Sequence, residues 1–147
     1  MVESKDVVGK IISKTIRTVS VKQPISLAVA EMTKHNIGSV VVVKDGAPVG
    51  IITESDVMRQ LVGKGGKDLD EPSEALASKP LVAVPPDTEI WEAFMIMLRR
   101  KIRRLPVTQD GKLVGIVTER DLFKWVVSVL YEPNVPEDVR KLVAQNP

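Results

Sequence analysis

Two short stretches carry the residue types best suited to chemistry, Thr53-Glu54-Ser55-Asp56 and Thr118-Glu119-Arg120-Asp121. A hydroxyl followed three residues later by a carboxylate is first a helix-capping pattern, in which both side chains satisfy orphan backbone amides. The same helix start is an intrinsic anion site, because its free amides point outward. A second cluster is cationic: Arg103-Arg104, preceded by Arg99, Arg100 and Lys101. The last three read as a solvated helix end, where cations complement the dipole. Arg103 and Arg104 lead instead into the apolar run Leu105-Pro106-Val107, and a guanidinium is a planar fork matched to phosphate oxygens. Strand alternation sends neighbouring side chains to opposite faces, so the two arginines are expected to point apart.

Composition closes other routes. The chain has 147 residues, no Cys and a single His, His35. Thiolate nucleophiles, disulfides and Cys-based metal sites are excluded, and His-based catalysis has little to work with. No metal site and no catalytic residue is expected. Lys plus Arg total 21 against 19 for Asp plus Glu, a net charge of +2 that gives no footprint for nucleic acid. No run of about 18 apolar residues exists to span a membrane. Met1–Lys10 lacks the apolar core of a secretion signal, so a cytoplasmic protein is expected. His35 and the two Trp residues, Trp91 and Trp125, fall on expected helices; His35 reads as an exposed helix end and the tryptophans as packing or dimer contacts. Gly63-Lys64-Gly65-Gly66-Lys67 lacks the spacing of a phosphate loop and reads as linker.

The elements that position these residues come from a duplication. Gly50-Ile51-Ile52-Thr53-Glu54-Ser55-Asp56 returns, shifted by 65, as Gly115-Ile116-Val117-Thr118-Glu119-Arg120-Asp121. Without a gap, Val8–Arg59 and Ser73–Lys124 share 16 identities in 52 positions, too many for chance. Each copy opens with a leader and an extended segment (Arg17–Val21, Leu81–Val84). Apolar residues then recur at helical spacing: Ile25, Ala28, Val29 and Met32, and Ile90, Ala93, Phe94 and Met97. Two β-rich runs follow, joined at Asp45-Gly46 or Asp110-Gly111, a strong hairpin signal because a type I′ turn needs positive φ at both central residues. A final helix carries Val57, Met58 and Leu61, or Leu122, Phe123 and Val126. A single copy is marginal alone, so two are expected to bury their sheets together. The fold class is therefore α/β (α+β): two β-α-β-β-α motifs packed sheet to sheet with pseudo-two-fold symmetry. The first motif with its leader takes residues 1–62, a Gly-rich linker 63–72, the second motif 73–131, and a tail without assigned function 132–147.

This order, the Gly-apolar-apolar-Thr-x-x-Asp motif in both copies, and Arg103-Arg104-Leu105-Pro106-Val107 resemble the cystathionine-β-synthase (CBS) domain, and two in tandem resemble a CBS pair, or Bateman module, of the stand-alone kind. The resemblance covers roughly residues 7–131. It implies a non-catalytic regulatory module that binds an adenosine-containing ligand, AMP, ADP or ATP, in the cleft between motifs. It further implies a disc-like homodimer of four motifs and an effector protein that reads the bound state. The alternatives are S-adenosylmethionine as ligand, or a structural dimerisation and docking module without a nucleotide. In the family, each site joins the Thr-x-x-Asp of one motif to the first and middle strands of the other. One site would then combine Thr53 and Asp56 with Val82, Ala83, Arg103, Arg104 and Pro106, with Arg120 adding charge. The other would combine Thr118 and Asp121 with Thr18, Val19, Gly38 and Ser39. The carboxylate would accept a ribose cis-diol and the arginines a phosphate, which favours the first, Arg-rich site. Ile37, Ile102, Val19 and Val84 would wall the adenine or, more simply, pack the core.

Overall fold

A computed structural model of the chain describes residues 6–65 and 68–130, together with Glu137 and Lys141. The expected tail at 132–147 otherwise lies outside the described residues, and so do Gly66 and Lys67 of the linker.

The first motif contains β1 (Thr18–Ser20), α1 (Ile25–His35), β2 (Ser39–Lys44), β3 (Ala47–Thr53) and α2 (Glu54–Gly63). The second contains α3 (Ile90–Arg100), β4 (Arg104–Gln109), β5 (Lys112–Thr118) and α4 (Glu119–Leu130). Both hairpins turn at the expected Asp-Gly pairs, with φ of 51° and 80° at Asp45 and Gly46 and 53° and 77° at Asp110 and Gly111. These positive angles are the type I′ requirement that the sequence met. Helices α1 and α3 stop alike, on Asn36 and Lys101 in left-handed conformation.

The copies differ in their first strand. In the first, β1 lies parallel to β2, with Val41 N donating to Arg17 O and Val21 N to Val43 O, both at 3.0 Å. The positions equivalent to Val41 and Val21 are Pro106 and Pro86, which have no N–H to donate. The expected strand at Leu81–Val84 therefore shrinks to one bridge, Val84 to Val107, flanked by Val84 N→Pro106 O and Thr108 N→Val84 O. Among the described residues the Val82 carbonyl is left without the amide that Arg17 enjoys.

Each motif has its own core. One gathers Val19, Ala28, Met32, Val40, Val42, Ile52 and Val57; the other gathers Val84, Ile90, Ala93, Met97, Leu105, Val107, Val117, Leu122 and Trp125. The motifs are then tied by an exchange of leaders. Val8, counted with the first motif by sequence, is fully buried in the core of the second. Its amide donates to Thr88 O, Gly9 N to Pro86 O, and Ser13 bridges Ile116. Trp125 Nε1 donates to Asp6 Oδ2 at 3.0 Å. Reciprocally, Ser78 bridges Ile51, Ser73 N donates to Gln23 O, and the linker carbonyls of Leu69 and Glu71 accept from Ser26 and Ile25. The linker also carries an ion pair, Lys64 Nζ to Glu71 Oε1 at 2.9 Å, which raises the Lys64 pKa. The sheets themselves meet through β3 and β5.

The exchange explains the repeated glycine. A Cβ on Gly50 would stand 2.9 Å from Ser78 O, and one on Gly115 would stand 2.7 Å from Ile12 Cδ1 and 2.9 Å from Ile12 Cβ. Each glycine lets the other motif's leader lie flat on the strand. Gly115→Val is therefore expected to cost about 1–3 kcal/mol through overpacking, read as a lowered denaturation midpoint. Ile12→Ala added to that variant should recover part of the loss; no recovery would place the strain elsewhere.

Candidate functional site

Both Thr-x-x-Asp stretches are capping boxes at strand-helix junctions. At the start of α2, Asp56 N donates to Thr53 Oγ1 at 3.3 Å, while Asp56 Oδ2 accepts from Thr53 N at 2.8 Å and from Thr53 Oγ1 at 2.9 Å. At α4 the same three bonds join Thr118 and Asp121, at 3.2, 2.9 and 2.9 Å. One carboxylate oxygen in each box is thus committed to the fold. The other oxygen distinguishes the copies. Asp56 Oδ1 accepts from Arg59 Nη2 at 2.8 Å. The residue equivalent to Arg59 is Lys124, which makes no such bond. Among the described residues Asp121 Oδ1 is free to accept.

Two cavities lie where the motifs face each other. The larger, about 780 Å³, brings Thr118, Asp121 and Arg120 together with Gly38 and Ser39 at the start of β2. The smaller, about 390 Å³, brings Thr53 and Asp56 together with Val82, Pro106 and Arg59. Both sizes fall in the range of small-molecule clefts, about 300–1,000 Å³, with the smaller near its lower end. The crossed pairing expected of the duplicated halves is present in both: each box meets the other motif's middle strand.

Several expectations need correction. Arg103 and Arg104 do not divide between faces, and neither is confined to one site; both line both cavities. Pleat alternation does not govern Arg103, because β4 starts only at Arg104. Arg120 lines the larger cavity rather than the smaller, since it sits on the first turn of α4 beside its own box. The Asp121 cavity is therefore not a pocket of small neutral groups: Arg103, Arg104, Arg120 and Lys124 all line it, alongside Glu54 and Glu119.

First-strand residues are also placed differently. Thr18 is exposed on β1 and Val19 is 1% exposed in the core, and neither lines a cavity. Their expected place is taken by the leader just upstream, Ser13, Thr15 and Ile16, with Ile11 and Ile12. Ala83 likewise is outside the smaller cavity while its neighbour Val82 is inside. Of the four apolar walls, Ile37 and Ile102 line the larger and smaller cavity respectively, whereas Val84 joins Val19 in the buried interior.

Arg104 occupies a particular place. A Cβ on Gly38 would fall on its guanidinium, 2.7 Å from Cζ, so this glycine leaves room for an arginine from the opposite motif. Arg104 is half-buried, and its guanidinium makes no hydrogen bond or ion pair among the described residues. Arg103 differs: it is 81% exposed and its Nε stands 3.9 Å from Glu119 Oε2. Elsewhere, Trp125 packs in the core and Trp91 edges against it at 5.2 Å, stacked in turn on Phe94. His35 is half-buried between Glu31 and Arg17, at 3.4 and 3.3 Å, rather than exposed.

An exchanged pair of β-α-β-β-α motifs, with crossed clefts lined by a helix-capping acid and a facing arginine, defines a tandem-motif class of fold. The family model described as the CBS domain matches residues 8–63 and 73–128. The chain belongs to that family and is a CBS pair, a regulatory module. It is 34% identical over 136 residues to an uncharacterized protein of Methanopyrus kandleri, covering 91% of this chain and 68% of that one. It is 35% identical to the CBS domain-containing protein YhcV of Bacillus subtilis, over 73% of this chain and 76% of that protein. Among solved structures, a CBS-domain containing protein from Agrobacterium tumefaciens superposes with a TM-score of 0.76 at 27% identity, covering 82% of this chain and 98% of that one. The CBS domain pair of protein MJ0100, solved with 5′-methylthioadenosine and S-adenosyl-L-methionine, superposes with a TM-score of 0.73 at 27% identity, over 83% and 96%. No helix among the described residues is long and apolar enough to cross a membrane.

Proposed function

We propose that this CBS pair is a non-catalytic sensor of an adenosine nucleotide, AMP, ADP or ATP, and that the larger, Asp121 cleft is its principal site. One observation carries the reading: Asp121 lines a cationic cleft and its Oδ1 has no partner among the described residues, whereas Asp56 Oδ1 is already held by Arg59. In the larger cleft Asp121 accepts a ribose hydroxyl while Arg104 and Arg120 take the phosphate. Ile37 offers the base an apolar wall. This ordering of the clefts reverses the one the arginine count alone suggests. In the smaller cleft the unpaired Val82 carbonyl is suited to accept a base amino group, opposite Ile102.

The ligands of the MJ0100 pair favour a second reading, in which an S-adenosyl or methylthioadenosine compound fills the same nucleoside position. Glu54 and Glu119 at the larger cleft suit the sulfonium and ammonium groups of an S-adenosyl compound. Calorimetric titration with AMP, ATP, S-adenosylmethionine and 5′-methylthioadenosine separates the two. Micromolar AMP binding with weaker methylated ligands supports the nucleotide sensor, and the reverse order supports the second reading. No heat from any of them at sub-millimolar concentration removes both and leaves a structural docking module.

An associated assembly is part of the proposal. Trp91, Met95 and Leu98 are exposed on one face of α3, with Phe123 on α4 and Met58 and Val62 on α2. That apolar surface suits a disc-like homodimer, a cytoplasmic effector reading its shape.

The Arg59 bond has a measurable consequence. A pair whose cation stays in water, Arg59 being 75% exposed against the buried Asp56, is worth about 0–1 kcal/mol. Releasing it by Arg59→Ala is expected to raise adenosine affinity at the smaller cleft by up to about fivefold, with the larger cleft unchanged. Weaker adenosine binding in that variant would show that Arg59 serves the ligand directly.

A further inference from the structure

We infer that the two clefts share one anion-binding side chain, Arg104, so that a phosphorylated ligand in one cleft weakens phosphate capture in the other. The inference rests on the reading of both clefts as nucleoside sites and adds a regulatory coupling between them.

Arg104 lines both cavities from the start of β4. Its guanidinium lies against Gly38 of the opposite motif, where a Cβ would force the arginine to shift. It is half-buried, and among the described residues no carboxylate or carbonyl pairs with it. A partly desolvated, unpaired cation gains most from an incoming anion. Its fork, however, can grip one phosphate bidentately at a time. Arg103 also lines both clefts, but it is largely solvated and stands beside Glu119, so it substitutes poorly. The larger cleft has further cations of its own in Arg120 and Lys124, and the smaller has Arg59 and Lys101. Each cleft therefore still binds when the other is full, with reduced affinity. By linkage the penalty is the same in both directions.

The distinctive outcome is dependence on the phosphate. Adenosine, which makes no call on Arg104, fills both clefts independently. AMP binds the second cleft about tenfold more weakly than that cleft binds it alone, within the usual range of coupling between linked sites.

The test uses the full chain with AMP and adenosine as probes in calorimetry. Asp121→Asn weakens the larger cleft and Asp56→Asn the smaller, and each keeps a carbonyl oxygen for its capping box. The AMP affinity of the smaller cleft in Asp121→Asn is compared with the second binding event in the unmodified chain. About a tenfold deficit in the unmodified chain, absent with adenosine and abolished by Arg104→Gln, supports the shared arginine. Equal affinities overturn it. A deficit that persists in Arg104→Gln overturns it too, since plain repulsion between phosphates would then suffice. If neither single-cleft variant takes up AMP or adenosine, the nucleoside reading itself falls. Uptake without coupling sinks only the sharing.

Discussion

Asp121→Asn is expected to weaken binding at the tight site by about ten- to a hundredfold, because a hydrogen bond to a charged group contributes roughly 1.5–3 kcal/mol. The residue does two jobs, and the substitution separates them. Oδ2 holds the Thr118 amide and hydroxyl, and an amide oxygen can take that place. Oδ1 has no partner among the described residues, and Asp121 lines the larger cleft, so the lost charge is expected to be felt by ligand there. Stability should therefore fall by no more than about 1 kcal/mol, the usual scale of a cap. Asp56→Asn is the internal control. Its Oδ1 is tied to Arg59, so the tight site should be unaffected. Calorimetry and thermal denaturation on the same samples read both quantities. An Asp121→Asn protein that melts well below the parent yet binds normally would show that capping was its whole role.

The second large effect concerns the leader. Val8→Asp should destabilise the chain by about 3–5 kcal/mol, the scale of an uncompensated buried charge. The site is fully buried between Val84, Leu105 and Trp125 in the second motif. No cation stands among the residues of that core. The expected fall in Tm is about 10 °C or more for a domain of this length. Both tryptophans, Trp91 and Trp125, belong to the second motif, so their fluorescence reports which half opens. Loss of the Trp signal before loss of the first motif's helix would show that the leader is a structural part of the second. A shift under about 3 °C would mean the first leader is dispensable, and with it the account of why Gly115 must be glycine.

Much of this was readable from the chain alone. A constant offset of 65 gave the two motifs, and Asp45-Gly46 and Asp110-Gly111 gave both hairpins, because turn chemistry is local. The crossed meeting of each Thr-x-x-Asp box with the opposite middle strand followed from the family resemblance. What escaped was nonlocal or subtractive. That the leaders change places depends on which core has room for Val8, and the residue types of the leader do not say which core that is. The unexplained pair Ile11-Ile12 was the available hint, since two adjacent apolar residues in a leader need somewhere to go. The lost strand at Leu81–Val84 could have been deduced: aligned against Val41 and Val21, Pro106 and Pro86 delete two donors. The difference between Arg59 and Lys124 looked conservative, yet only the arginine reaches its aspartate. That one contact changes which cleft offers a free carboxylate. Arg103 and Arg104 reach both cavities because β4 starts only at Arg104, so the pleat does not send the two side chains apart.

The central claim is that the larger inter-motif cleft receives the nucleotide. Amide chemical shifts of isotope-labelled protein during AMP titration test it most directly. Saturable shifts confined to Gly38, Ser39 and Thr118–Asp121, fading in Asp121→Asn, are the outcome this geometry requires. Shifts absent at millimolar AMP, or gathered on the outer faces of the helices, would contradict it.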